Sequence, residues 1–460
     1  MKKIIALTLT VCLMLSLGAC APTQENTNGQ ASAVQTNYLL ASAQYPEMAP
    51  YPNEMDYIDS KTGEFDDEGF SKVYDAWNTD RQALRNQPDG YADRLDSFFA
   101  ESIAALLSDA NGQNKVYSPL NVYMALCMIG EVTDGDSRQQ ILDLLGADSI
   151  DALRAQASSL WNANYCDDGA VTSVLASSLW LNQDVSFVQS TMDSLAKNYY
   201  ASSYQGEMGS AEFNKALQDW LNEQTGGLLA EQASNLEMNP DTIMALATTI
   251  YFRAKWAQEF SESATEEGLF HTENRDVTCD FMHQSGTRNY YWSDQFSAVA
   301  QSLEGSGNMW FILPDEGVSV DELLADSTTM DFILSDSDWD NSKFLVVNLA
   351  VPKFDVASNL DLIPKLKELG ITDVFDAESS DFTPMTTDTD EIFLSQAQHA
   401  ARVTIDEEGV EAAAYTVMMA AGSAMPPDEE INFTADRPFL FAITSNDGLP
   451  LFVGVVNRPA

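Results

Sequence analysis

Basic residues are scarce in this chain. Against 70 aspartates and glutamates stand 23 lysines and arginines, a formal net charge of -47 over 460 residues. Binding to nucleic acid or heparin draws its free energy from counterions displaced by a basic patch. The sequence holds no such patch, so nucleic acid, heparin and anionic lipid are disfavoured as partners. A cationic partner would be attracted over long range; solubility alone is the other explanation of the charge. Histidine is scarcer still, with only His271, His283 and His399. A Gly-x-Ser-x-Gly elbow with a partner histidine is missing. So are His-Glu-x-x-His, a Walker-type phosphate loop and a Gly-x-Gly-x-x-Gly fingerprint. Carboxylate pairs arise by coincidence among 70 acids and carry no weight. A carboxylate-based glycosidase is the one enzyme class that missing motifs leave untouched. The expectation is a protein that is not an enzyme, with no cofactor and no metal.

Cysteines number five. Cys12 leaves with the signal and Cys20 is expected to carry lipid, which leaves Cys127, Cys166 and Cys279 at wide, unpatterned spacing. An odd number without pattern in an exported chain argues against both a disulfide framework and a metal cluster. Buried free thiols are expected. Long apolar runs are also few. One covers residues 4–17 after Lys2 and Lys3, too short for a bilayer, which needs roughly 20 residues. A basic start, a short apolar stretch and small residues before the cut describe an export signal. Cys20, following Leu17-Gly18-Ala19, resembles the lipidated cysteine of a bacterial lipobox; an ordinary secretory signal with an incidental cysteine is the alternative. Two acyl chains would anchor the protein stably.

What the chain does have is enough apolar content, 45% with 10% aromatics, for a substantial core. Residues 1–19 read as a signal peptide and 20–60 as a lipidated N-terminus and flexible tether, rich in Gln, Asn, Ser, Ala and Pro. Phe65, Phe70, Val73, Tyr74 and Trp77 recur at near-helical spacing, so residues 61–87 read as a short helical extension docked through its aromatics. From residue 88 to 460 the pattern continues without a linker. Leu95 to Leu107 marks an amphipathic helix. Ser118-Pro119 opens an almost wholly apolar, central helix. Ser137-x-x-Gln140 reads as a capping box, and further helices follow from Ala211 and around Leu360, Ile363, Leu366 and Leu369. Apolar runs at 244–252, 309–313, 344–351, 401–405, 439–443 and 451–456 read as strands. Helices first and strands mostly later, without βαβ alternation, predict an α+β fold.

One stretch has no charge at all. From Ala412 to Pro427 the chain carries no charged residue, although 20% of its residues are charged overall. Glu407-Glu408-Gly409-Val410-Glu411 leads into it, and Ala412-Ala413-Ala414-Tyr415 begins it. An uncharged, strand-prone loop in water is an aggregation liability. It is either a flexible Ala/Gly/Ser linker or a segment exposed now and destined to become a strand. Side chains alternate across a strand. One face would show Val410, Ala412, Ala414 and Thr416, and the other Glu411, Ala413 and Tyr415.

Flanking motifs decide between these. Ala435-Asp436-Arg437-Pro438-Phe439-Leu440-Phe441-Ala442-Ile443 closely resembles the C-terminal signature of the serpins, the conformational serine-protease inhibitors. Val116-Tyr117-Ser118-Pro119-Leu120-Asn121, Tyr251-Phe252-Arg253-Ala254-Lys255-Trp256, Phe311-Ile312-Leu313-Pro314-Asp315, Val351-Pro352-Lys353-Phe354 and Leu369-Gly370-Ile371-Thr372 resemble further serpin motifs, in order. The resemblance covers roughly residues 88–460. It implies three β-sheets, eight or nine helices and an exposed reactive centre loop at about 407–427. It further implies that Gly409, Val410, Glu411, Ala412, Ala413, Ala414 and Tyr415 form the hinge, and that the reactive bond is Ser423–Ala424, with Gly422–Ser423 as the alternative. Lys353 and Glu407 resemble an ion pair where the loop enters the sheet, beside Trp256. Ser118 and His399 resemble a polar cluster beneath the opening sheet. Thr248 and Asn121 depart from the family pattern, which has asparagine and serine there. A small residue before the cut suits elastase-like serine proteases, with subtilisin-like ones as the alternative. The implied protein is a monomeric bacterial inhibitor, held at the outer face of the cell membrane by its lipid anchor or released from it. A non-inhibitory serpin acting as a surface binding or carrier protein is the alternative.

Overall fold

A computed structural model describes residues 37–335, 338–389, 392–410, 427 and 429–459. The chain divides into residues 1–30, which lie outside the described residues together with Cys20, and residues 31–460, whose architecture follows.

The helix Pro119–Val132 lies at the centre. Ser118 caps it, its hydroxyl accepting from the Asn121 amide, and Pro119 begins it, where the missing N–H costs nothing. Apart from Glu131 every residue in it is buried, so it is apolar on all faces and packed on all of them. The helices Asp96–Leu107 and Ile150–Asn164 pack against this apolar centre. Cys127, Cys166 and Cys279 are buried free thiols.

Two hydrogen-bonded sheets enclose this centre. The first has the strand order Leu39–Ala41, Ala201–Gly206, Thr172–Asn182, Met244–Lys255, Gly409–Val410, Leu394–Ile405, Phe354–Asp361, with Cys166–Asp167 pairing Thr172–Asn182 off this path. The second contains nine strands built around Asp276–Trp292. Its 17 residues pair with Glu266–His271, Ser342–Pro352 and Phe296–Leu303. That shared strand makes one continuous network where the expected count of three sheets needs two. Eleven α-helices occur among the described residues, more than the eight or nine expected, because several are short, such as the four-residue Ala230–Ala233 and the six-residue Ile363–Glu368.

Local departures from the sequence reading have identifiable causes. The helix Gly135–Leu144 starts three residues early, capped by Asp134. Ser137 instead accepts from the Asp381 amide, and the Gln140 carbonyl accepts from the Thr372 and Asp373 amides, so no capping box forms there. Leu360 belongs to a strand, opposite His399, and the helix after it begins only at Ile363.

The segment read as tether is packed from Leu39 onward. Leu39–Ala41 adds an edge strand to the first sheet. Tyr45 stacks on Trp161 with ring centroids 5.1 Å apart, and Trp161 stacks in turn on Tyr165 and Tyr200. The apolar side chains of this short polar stretch suffice to dock it. The helix Asp67–Arg85 follows, and its apolar side docks in part: Trp77 is buried and packs on Tyr51, Phe70 lies against Tyr57, while Phe65, Val73 and Tyr74 are more than a third exposed. Polar anchors hold the helix as well. Trp77 Nε1 donates to Asp168 Oδ2 at 3.2 Å, and Arg81 Nη1 lies 3.6 Å from the same carboxylate. Arg81 and Arg85 both donate to the Gly305 carbonyl.

Candidate functional site

The middle of the first sheet is where the chain does something unusual. Its two central strands, Met244–Lys255 and Leu394–Ile405, run parallel and pair directly from Leu394↔Met244 to Ala400↔Thr249. Beyond that point they separate. Each keeps its outer neighbour, Thr172–Asn182 on one side and Phe354–Asp361 on the other. Into the mouth of the gap comes the two-residue strand Gly409–Val410, paired antiparallel to both: Val410 with Ile405 and Ala254, Gly409 with Lys255. Val410 is 2% exposed and belongs to the main core.

A tight turn delivers this segment. The Asp406 carboxylate accepts from the Glu408 and Gly409 amides, at 2.9 and 3.2 Å, and the Asp406 amide donates to the Gly409 carbonyl. Gly409 is required by close approach: a Cβ there would stand 2.4 Å from the Ala254 carbonyl oxygen and 2.8 Å from the Lys255 Cα. Trp256 closes the turn from above. Its indole N–H donates to the Asp406 carbonyl at 2.8 Å and its amide to the Glu408 carbonyl at 3.0 Å.

Glu407 points the other way, into a polar socket. Lys353 Nζ lies 2.7 Å from its Oε1, and Thr265 Oγ1 donates to the same oxygen at 2.7 Å. Burial by itself would push the Glu407 carboxyl up; the hydrogen bonds from Lys353 and Thr265 outweigh it and hold the group below the usual carboxylate range.

Beneath the seam, where direct pairing ends, sits a second cluster. His399 is fully buried between the sheet and the central helix. Its Nε2 accepts from the Ser118 amide at 3.0 Å, so the proton is on Nδ1, which donates to Thr248 Oγ1 at 2.7 Å. Desolvation lowers the imidazole from 6.5 to about 3, so the ring is neutral. Asn121 Nδ2 donates to the Thr249 carbonyl at 2.6 Å, and Thr249 Oγ1 to the Ala400 carbonyl at 3.0 Å. These bonds tie both central strands and the central helix to one another at the top of the parallel ladder.

Thus Trp256, Lys353 and Glu407 converge at one end of the gap, while Ser118 and His399 meet at the other. Gly409 and Val410 lie within it. The other positions expected to form the hinge, Glu411, Ala412, Ala413, Ala414 and Tyr415, and those expected to flank the reactive bond, Gly422, Ser423 and Ala424, fall outside the described residues. Three participants, Asp406, Thr249 and Thr265, escaped the sequence reading. Asp406 carries a recognisable signal, an aspartate three residues before a glycine, as in turns that bond their own backbone. Thr265 carries none; only the fold brings it to Glu407. Among the described residues no group of side chains could hold a metal ion, and no helix is long and apolar enough to cross a membrane.

Comparison with known proteins agrees with this geometry. A family profile described as Serpin (serine protease inhibitor) matches residues 94–459. Alpha-1-antitrypsin 1-4 of Mus musculus is 29% identical over 399 residues, covering 84% of this chain and 93% of its own. Serpin-ZX of Arabidopsis thaliana is 29% identical over 367 residues, covering 76% and 93%. The native-state structure of the thermophilic serpin tengpin superposes with a TM-score of 0.72 at 22% identity, over 81% of this chain and 95% of that one. Arabidopsis AtSerpin1 in its native stressed conformation gives 0.71 at 26% identity, over 81% and 99%. The profile match spans well over half of the sequence and every strand around the gap, and the chain belongs to the serpin family.

Proposed function

We propose that this serpin inhibits serine proteases by sacrificing its own loop. The protease cuts Ser423–Ala424, with Gly422–Ser423 the alternative bond, and remains attached through its acyl linkage. The freed segment then inserts between Met244–Lys255 and Leu394–Ile405 as a new central strand. What carries the reading is Val410, seated between two strands that pair directly lower down. That pairing would serve as the first step of insertion, and the residues that would follow, Glu411 to Tyr415, alternate small side chains at Ala412 and Ala414. Insertion of about 15 residues at roughly 3.3 Å each would carry the protease some 50 Å. At about 1 kcal/mol net per new backbone hydrogen bond, the gain is on the order of 10 kcal/mol. That is comparable with the stability of a whole domain, about 5–15 kcal/mol, so distorting the captured enzyme is energetically feasible. No residue of the serpin performs catalysis.

Elastase-like proteases fit the small residue at Ser423, with subtilisin-like ones second. The leader and Cys20 support an exported lipoprotein on the outer face of a bacterial membrane, acting as a monomer and held by the lipid alone. Mixing the protein with an elastase tests the inhibitory reading. A covalent complex that survives SDS is expected, and cleavage of the loop without trapping would overturn it in favour of a non-inhibitory carrier.

A further inference from the structure

The lower, closed part of the same seam carries a cavity that the loop mechanism does not use. It measures about 170 Å³ and lies between the sheet and the helix Ala211–Glu223. Leu217 and Leu221 of that helix form its roof, and Met238, from the segment that follows, closes one side. Its floor is the face of the parallel ladder itself: Ala245 and Ala247 from one strand, Gln396 and Gln398 from the other. In register these are the partners Gln396↔Ala245 and Gln398↔Ala247. The alanines leave the space, and Trp180 supplies an aromatic wall.

Asn235, Glu237, Gln396 and Gln398 add polar groups to the lining, and one of these is unmet. Gln396 Oε1 is buried and has no hydrogen-bond partner among the described residues. Its orientation is fixed, because the amide nitrogen donates to the Glu237 carbonyl at 3.3 Å and the oxygen must therefore face away. An unmet buried acceptor costs about 1–3 kcal/mol. Volume sets the size of a guest: a cavity of about 150 Å³ takes benzene, so this one suits one or two small fused rings. The exposed Glu237 at its edge disfavours an anion.

We propose that this cavity binds a small neutral aromatic molecule carrying a single N–H or O–H donor, of the indole or phenol class, with the donor bonded to Gln396 Oε1. Such a guest touches both central strands and the helix above them. It holds the ladder shut at the place a new strand would have to part it. Occupancy therefore shifts the inhibitor towards being cleaved without trapping, a consequence that rests on the insertion reading above.

Calorimetric titration of the full chain with indole and with 1-methylindole, which lacks the donor, tests the site. Indole is expected to bind one to one, roughly tenfold tighter than 1-methylindole, as one buried hydrogen bond implies. Gln396→Leu should erase that difference while retaining 1-methylindole, and Ala247→Phe should exclude both. Should Ala247→Phe fail to fold, Gln396→Leu decides alone. Equal affinity of the two ligands for the wild type, or no heat with indole, overturns the site. In the functional arm, saturating indole should raise the stoichiometry of inhibition of an elastase several-fold. An unchanged stoichiometry with indole bound overturns the coupling. If no covalent complex forms even without indole, the insertion reading fails while the binding arm still stands on its own result.

Discussion

The Lys353 ammonium sits 2.7 Å from Glu407 Oε1, joining the residue between the strands Ser342–Pro352 and Phe354–Asp361 to the turn that delivers Gly409 and Val410 into the first sheet. Only a tenth of the Glu407 side chain is exposed. Lys353→Met would leave that carboxylate with Thr265 as its remaining side-chain donor, at a cost of about 1.5–3 kcal/mol for a lost charged hydrogen bond. Thermal unfolding should show the loss at neutral pH. Because the folded pKa is depressed, the contribution is complete above the ordinary value of 4.5 and lost as pH falls through the folded pKa. Lys353→Met should flatten that acid limb; an identical limb would contradict the pinning role.

His399 titrates with the opposite chemistry and the same direction of pH dependence. Its folded pKa is lowered to about 3 from 6.5, so the unfolded chain takes up the proton first. Stability should hold above pH 6.5 and fall between there and about 3 as protons bind the unfolded state. His399→Leu removes this slope and strands the Ser118 amide, costing about 1–3 kcal/mol at neutral pH. Urea unfolding at several pH values separates the two effects. Equal slopes for both proteins would show that His399 does not titrate on unfolding.

Gly409→Ala brings a methyl group against the backbone of Ala254 and Lys255. Such overpacking costs about 1–3 kcal/mol, and here the inserted pair of residues can yield by leaving the gap. Faster amide exchange at Val410 is expected, together with a lower melting temperature. Unchanged protection would mean that the strand accommodates the methyl in place.

Arg81→Met should detach the N-terminal helix. Asp168 has a fully buried side chain, and removing one partner of a buried ion pair costs about 3–5 kcal/mol. Trp77 Nε1 and the Ala170 and Val171 amides still bond that carboxylate, which places the effect near the lower end. Limited proteolysis within residues 67–85 should accelerate; unaltered cleavage would show that Trp77 and Arg85 hold the helix without Arg81.

In the loop, Ala414→Arg would require burying an unpaired charge, at several kcal/mol. The variant should become a substrate, with a sharply raised stoichiometry of inhibition. Ser423→Arg should shift preference towards trypsin-like enzymes, and an unaltered protease profile would move the reactive bond elsewhere.

Legibility followed hydrophobic continuity. The helix Pro119–Val132 stood out because nearly every residue in it is apolar and a Ser-Pro pair opens it. The strand Met244–Lys255 stood out for the same reason. Leu394–Ile405 was legible only in its last five residues, since Gln396, Gln398 and His399 disguise a central strand as a loop. Thr172–Asn182 escaped notice because its serines interrupt the apolar run. Both are interior strands of the sheet, and polar side chains such as Ser178 and His399 find partners across strands or on the central helix, which local pattern does not reveal.

The sequence alone determined the family, the α+β class and the charge-free stretch beyond Glu411, because these reside in contiguous motifs and composition. The tertiary structure alone decided that Gly409 and Val410 already lie within the sheet. Whether Gly409 and Val410 pair depends on two strands more than 140 residues apart, and on how far their ladder closes. Ladder closure is set by His399, Thr248, Thr249 and Asn121 bonding across the seam, a balance of long-range contacts that no local stretch encodes.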